Sequence, residues 1–201
     1  LGYFTDDSHQ SEEMTNYYSL IKTSRENRVH KFLEKLKLHF NIDLTYDDVA
    51  SLSSGIIARP HIAKAINIKY PEYSFNYIFD EFIGDHSKAY VPSSKLGVEE
   101  GIELLRRNNC VVVLAHPVLL KKHLQEKVLS YNYDGLEAKY FRNTEEDEIF
   151  FKNLAKKRGM VITGGSDYHG IPNDTKHGTV GDYYIEDEIN DFIKLYDSKV
   201  I

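Results

Sequence analysis

The sequence predicts an α/β fold with a helical region attached, and three observations carry that reading. From Val98 onward, runs suited to helices alternate with short apolar runs suited to strands. Two of those apolar runs end in metal-capable side chains, and the chain before Val91 is charged and helical in pattern. Alternation with short connections gives parallel strands joined by right-handed crossovers, hence either a barrel or a doubly wound sheet.

Taken in order, Leu1-Gly2-Tyr3-Phe4 reads as the end of a buried strand, and the absence of an initiating methionine leads us to expect further sequence upstream. From Ser11 to about Val91, Tyr17, Leu20, Ile21, Val29, Phe32, Leu33, Leu36 and Phe40 recur at spacings of three, four and seven, as on an amphipathic helix. Ser53-Ser54-Gly55 breaks that region. Arg59-Pro60-His61 opens another helix with proline in its first turn, and Ile83-Gly84-Asp85 closes the next. Then follow a helix over Val98 to Arg107, a strand over Val111 to Ala115, a helix over Leu120 to Leu129, a strand over Gly135 to Ala138, a helix over Glu145 to Lys157 and a strand over Met160 to Thr163. A last helix from Glu186 to about Asp197 packs outside.

Composition bounds the function classes. With 201 residues, 41% of them hydrophobic, the chain can bury one substantial core, or one core plus a smaller helical appendage. It has no apolar run of ~18 residues, and its first residues lack the basic start and apolar centre of a secretory signal. Cys110 is the single cysteine, which excludes an internal disulfide, fits a reducing cytoplasm and reads as core. A net charge of −6 argues against duplex DNA, whose binding needs a surplus of Lys and Arg along a face. A small phosphorylated substrate needs only a local cluster of cations or metals.

The most informative stretch is Gly164-Gly165-Ser166-Asp167-Tyr168-His169-Gly170. It places Asp167 and His169 two residues apart after an apolar strand, and His116-Pro117 follows a second such strand. Taken alone, the Ser166-Asp167-Tyr168-His169 segment reads equally well as a helix start capped by Ser166 or Asp167, with His169 on the surface. Together they point to the carboxyl end of a parallel sheet, where α/β enzymes place their chemistry. Imidazole and carboxylate ligands suit Zn, Mn or Fe, and such ions lower the pKa of bound water and clamp a phosphoryl group. His116, Asp167 and His169 supply three ligands, enough for one open site and too few for a cluster. Glu137 points either toward this site or outward, because neighbouring strand side chains alternate. His9, His30, His39, His86, His123 and His177 stand in polar or helical surroundings without a partner at ligand spacing, and most of them read as solvated.

Five segments in order, Leu1-Gly2-Tyr3-Phe4, Arg59-Pro60-His61-Ile62-Ala63, Ala89-Tyr90-Val91-Pro92, Leu114-Ala115-His116-Pro117 and Gly164 to Gly170, resemble the PHP (polymerase and histidinol phosphatase) domain phosphoesterases. The resemblance is to the bacterial branch that acts on nucleotides and RNA ends. It implies a distorted (β/α)7 barrel, with residues 1–5 and 91–201 as the barrel portion and residues 6–90 as a helical insertion. It also implies two or three divalent metal ions (Mn, Zn or Fe), with His116, Asp167 and His169 matching family ligands, and Arg59 and His61 binding a substrate phosphate. At Asn143 the family pattern often has a His facing the substrate. The family's first metal motif, a His-x-His followed by an Asp, and then a further His and a bridging Glu, belongs before Leu1, so these residues alone are expected to form an incomplete barrel with exposed strand edges.

The implied activity is hydrolysis of phosphate esters of nucleotides or RNA ends through metal-activated water, with a nucleotide or short RNA as partner. Two other readings stay open: a catalytically silent barrel remnant that binds nucleotide or protein, and an amidohydrolase-like hydrolase of C–N bonds. For Arg59, the alternative is a surface arginine at a helix start, itself a favourable place for an anion.

Overall fold

The computed structural model describes residues 1–53, 55, 57–94, 96–170 and 177–200, so Ser54 of the expected Ser53-Ser54-Gly55 break lies outside the described residues. The chain divides into two compact units, Thr15–Lys95 and the combination of Leu1–Met14 with Leu96–Ile201. Among the described residues, no helix is long and apolar enough to cross a membrane.

The helical unit holds most of α1 (Glu12–Phe40), with α2 (Tyr46–Ala50), α3 (Arg59–Lys69) and α4 (Phe75–Tyr77), the last running into a π-helical turn over Ile78–Ile83. Val29, Phe32, Leu33 and Leu36 of α1 are buried at helical spacing, against Ile62, Ala63 and Ile66 of α3 and against Ile78 and Ile83. The apolar period expected from Tyr17 onward does not extend through the first half of α1, where Leu20 is 69% exposed. Length explains this: 29 residues of helix reach about 44 Å, whereas the 11 residues of α3 reach about 16 Å. Thr45 and Asp48 start α2 by a reciprocal capping box. Pro60 lies in the first turn of α3 as expected. Gly84 ends the π-helical turn, and a Cβ there would lie 2.5 Å from the Phe79 carbonyl oxygen.

The other unit carries a four-stranded sheet ordered β1 (Gly2–Phe4), β2 (Cys110–Leu114), β3 (Gly135–Tyr140) and β4 (Val161–Gly165) among the described residues. Strands β2, β3 and β4 pair in parallel, whereas β1 pairs antiparallel with β2, Tyr3 opposite Val111. The sheet is open, not closed into a barrel. Helices α5 (Val98–Arg107), α6 (Lys122–Ser130), α7 (Glu145–Arg158) and α8 (Ile189–Lys199) complete the unit, with α5 packing on β2, α7 on β3 and β4, and α8 on β4. Covered strands read as continuous apolar runs, and Cys110 to Val113 are buried without interruption. Burial pushes the Cys110 thiol up to about 11, so it stays protonated core.

Thr144 starts α7 with a capping box to Asp147, and Gly159, at φ 65°, ends it in the left-handed region. The β-α alternation therefore follows the sequence pattern closely, but β3 runs two residues beyond Ala138 to Tyr140. A register shift between Glu137 and Lys139 against β4 marks a bulge there.

Asp134, just before β3, ties three strands together. Its N–H donates to the Val112 carbonyl, its carbonyl accepts from Val161 N–H, and its carboxylate accepts from Val112 N–H at 2.8 Å. Arg106 and Lys199 each lie 3.3 Å from that carboxylate. Replacing Asp134 with Ala leaves the Val112 N–H without an acceptor and is expected to cost about 1–3 kcal/mol in chemical denaturation, whereas Asp134→Asn, which keeps an acceptor oxygen, should recover most of that loss. Equal stability of the two variants would refute this role.

Candidate metal centre

Parallel strands deliver their carboxyl ends to one edge, and the polar groups of the sheet unit gather there. His116 lies two residues beyond β2, Tyr140 ends β3, and Asp167 lies two residues beyond β4. His116 and Asp167 both occupy the left-handed backbone region, at φ 31° and 54°. Non-glycine residues hold such conformations at a cost of about 1–3 kcal/mol unless the surroundings fix them, and they cluster at functional sites. For His116 the fixing contact is its own N–H, which donates to Glu137 Oε2 at 2.7 Å.

Glu137 thus points toward the site rather than outward. It is buried, and a Cβ on Gly165 would lie 3.0 Å from its Oε1, so a glycine at that position leaves room for the carboxylate. The bulge after Glu137 resets the alternation of β3. Tyr140, three positions on, consequently serves the same site: its hydroxyl donates to Asp167 Oδ2 at 3.1 Å, and its ring lies 5.5 Å from that of His116. Burial, with the hydrogen bond to Asp167, pushes the Tyr140 phenol up to about 12, so it remains a donor.

Asp167, His169 and His177 form a group whose potential ligand atoms all lie within 4.8 Å of one another. His169 Nδ1 is 2.6 Å from the Asp167 carbonyl oxygen. That oxygen can only accept, so Nδ1 carries the proton and Nε2 is left as a donor to a metal. The imidazole rings of His169 and His177 stack at 3.8 Å. His177 Nε2 lies 3.9 Å from Asp167 Oδ2. Two imidazoles and one carboxylate are a donor set suited to Zn, Mn or Fe, and the Tyr140 hydroxyl supplies the outer hydrogen bond that ligating carboxylates use.

The structure brings Asp167 and His169 together, and His116 reaches the same edge through Tyr140 and Glu137 but is not part of that ligand group. The sequence reading that His177 has no partner at ligand spacing is corrected: it stands beside both Asp167 and His169. Tyr140 was also missed. Seven residues lie between His169 and His177, too many for any local ligand-spacing motif to pair them, and the bulge that turns Tyr140 inward has no sequence signature.

Asn143 donates from Nδ2 to the Ala138 carbonyl at 2.7 Å, while its Oδ1 is buried with no hydrogen-bond partner among the described residues. Arg59 and His61 belong to the helical unit, at the start of α3. Arg59 donates to Asp85 Oδ1 at 2.6 Å and lies over the Tyr90 ring, and it lines a cleft with Arg25 and Arg28. His61 Nδ1 accepts from the Ala58 N–H at 2.9 Å, the half of a capping box in which the N3 side chain reaches back to the N-cap backbone.

No family model matches the chain, and no curated protein matches it significantly. Solved structures similar to the chain include the following two. One, from Bifidobacterium adolescentis, is provisionally described as a metal-dependent phosphoesterase; it is 26% identical with a TM-score of 0.69, over 96% of this chain and 68% of that one. The other is described as an amidohydrolase from Chromobacterium violaceum with bound sulfate and no metal; it is 17% identical with a TM-score of 0.69, over 94% of this chain and 68% of that one. The fold is that of metal-dependent hydrolases, and the Asp-His group fits a divalent metal.

Burial holds the Glu137 carboxyl above its ordinary value of 4.5, opposed by the hydrogen bond from His116 and reinforced by the charge of Asp167. The folded protein then keeps a proton that the unfolded chain gives up, so stability falls as pH rises from about 4.5 through the folded-state value. In metal-free protein, Glu137→Gln should flatten that decline in denaturation midpoints measured against pH. An unchanged pH slope in the variant would contradict it.

Proposed function

We propose that this chain is a metal-dependent phosphoesterase of the PHP type, acting on phosphate esters of nucleotides or of short RNA ends. The observation that carries the reading is the Asp167–His169 group at the end of a parallel strand, in a fold shared with a 26%-identical protein described as a metal-dependent phosphoesterase. A divalent ion bound there would activate water and draw charge from the phosphoryl oxygens.

The protein's own groups have separable roles. Asp167 and His169 hold the metal, joined by His116 across the site, and two or three ions of Mn, Zn or Fe are the family complement. Tyr140 fixes the orientation of the Asp167 carboxylate through its hydroxyl. The tautomer of His169 is set by the Asp167 carbonyl. Arg59 and His61 contact the substrate phosphate; the guanidinium fork matches phosphate oxygens, and Arg25 and Arg28 beside it add positive charge. Asn143, whose Oδ1 is buried without a hydrogen-bond partner among the described residues, stands where the family pattern often has a substrate-facing His. The division into a barrel portion and a helical insertion follows the same reading, as does a cytoplasmic location for a chain whose one cysteine is a buried thiol.

Hydrolysis of a C–N bond is the second reading, favoured by the fold shared with the protein described as an amidohydrolase. A phosphomonoesterase and RNA-end assay with added Mn²⁺ separates the two. The unchanged protein should release phosphate from nucleotides, and chelation should abolish that release. His169→Ala should lower kcat by at least about 100-fold, while Arg59→Ala should raise KM for phosphate esters at retained metal content. Turnover of amides with none of phosphate esters would overturn the proposal.

A further inference from the structure

We propose that His177 is a third protein ligand of this metal site, completing a set of two histidines and one carboxylate with Asp167 and His169. The inference rests on the metal-dependent reading above and adds to it a residue that the five-segment resemblance does not contain. Two independent features place His177 there. The first is the ligand geometry. His177 Nε2 is 3.9 Å from Asp167 Oδ2, and its ring centroid is 3.8 Å from that of His169. A tetrahedral ion with bonds of about 2.1 Å holds its ligand atoms about 3.4 Å apart. In the structure the potential ligand atoms of the three residues already lie within 4.8 Å of one another.

The second feature is the backbone that delivers His177. Gly178 N–H donates to the Ser166 carbonyl at 2.8 Å. Pairing residue 178 with residue 166 sets residue 177 beside residue 167. The approach is close: a Cβ at Gly178 would lie 3.0 Å from Ser166 Cβ and 3.1 Å from the Tyr183 ring. With its side chain 23% exposed, His177 is also the more shielded of the two histidines, since that of His169 is 46% exposed. A donor placed by the main chain and shielded from water loses little freedom when it binds.

Three protein donors, two neutral imidazoles and one carboxylate, leave coordination positions open for water and substrate. The residues following β4 would then retain an ion without relying on His116.

Titration of the purified protein with Co²⁺, read by its visible absorption band, tests this directly. His177→Ala should weaken Co²⁺ binding at least about tenfold, the loss that even an outer hydrogen-bond partner causes. His177→Asp, which returns an anionic donor, should recover part of the affinity. His177→Gln, with circular dichroism to verify folding, serves if the alanine variant is unstable. Unchanged affinity in His177→Ala, with affinity lost in His169→Ala, would overturn the assignment of His177 and leave the metal-dependent function standing. No Co²⁺ binding by the unchanged protein would overturn both.

Discussion

The parallel register of β2, β3 and β4 is the constraint on which the rest of the sheet unit depends, and Asp134 is where it is fixed. One residue donates to β2, accepts from β4 and accepts again through its side chain from Val112. Parallel strands have evenly spaced, slanted hydrogen bonds and no hairpin to hold them in register, so such a clamp counts for more than it would in an antiparallel pair. Once those three strands are aligned, His116, Tyr140 and Asp167 must emerge at one edge.

At that edge the chain departs from regular structure in several small ways that act together. Left-handed backbone at His116 and Asp167 turns both segments away from the strand direction. Their carbonyls and N–H groups then become available to the site: the Asp167 carbonyl orients His169, and the His116 N–H meets Glu137. Glycines at 165 and 178 permit the close approaches that this packing needs. Strain at the two positive-φ residues is offset by these hydrogen bonds, which is the usual relation between unusual backbone and prearranged polar groups.

The helical unit is stabilised on other terms. Its core comes from one face of α1 meeting α3 and the π-helical turn, and its polar features lie at helix starts: His61 reaching back to the Ala58 N–H at the start of α3, and three arginines around the same end. The Arg59–Asp85 ion pair at 2.6 Å gives the guanidinium at the start of α3 an anionic partner within the same unit.

Much of this was legible in the chain itself. The alternation of apolar and amphipathic runs determined the order and type of the elements from Val98 onward, because periodicity reports which face of an element is buried. The Gly164 to Gly170 and His116-Pro117 segments determined which strand ends carry metal-capable side chains. The antiparallel pairing of β1 beside β2 was decided only by the tertiary structure. So were the inward turn of Tyr140 and the place of His177 beside Asp167. The physical reason is one of range. Periodicity and capping are local, set by neighbours within a few residues, whereas a bulge against β4 or a hydrogen bond from Gly178 to Ser166 depends on segments that only the folded chain brings together.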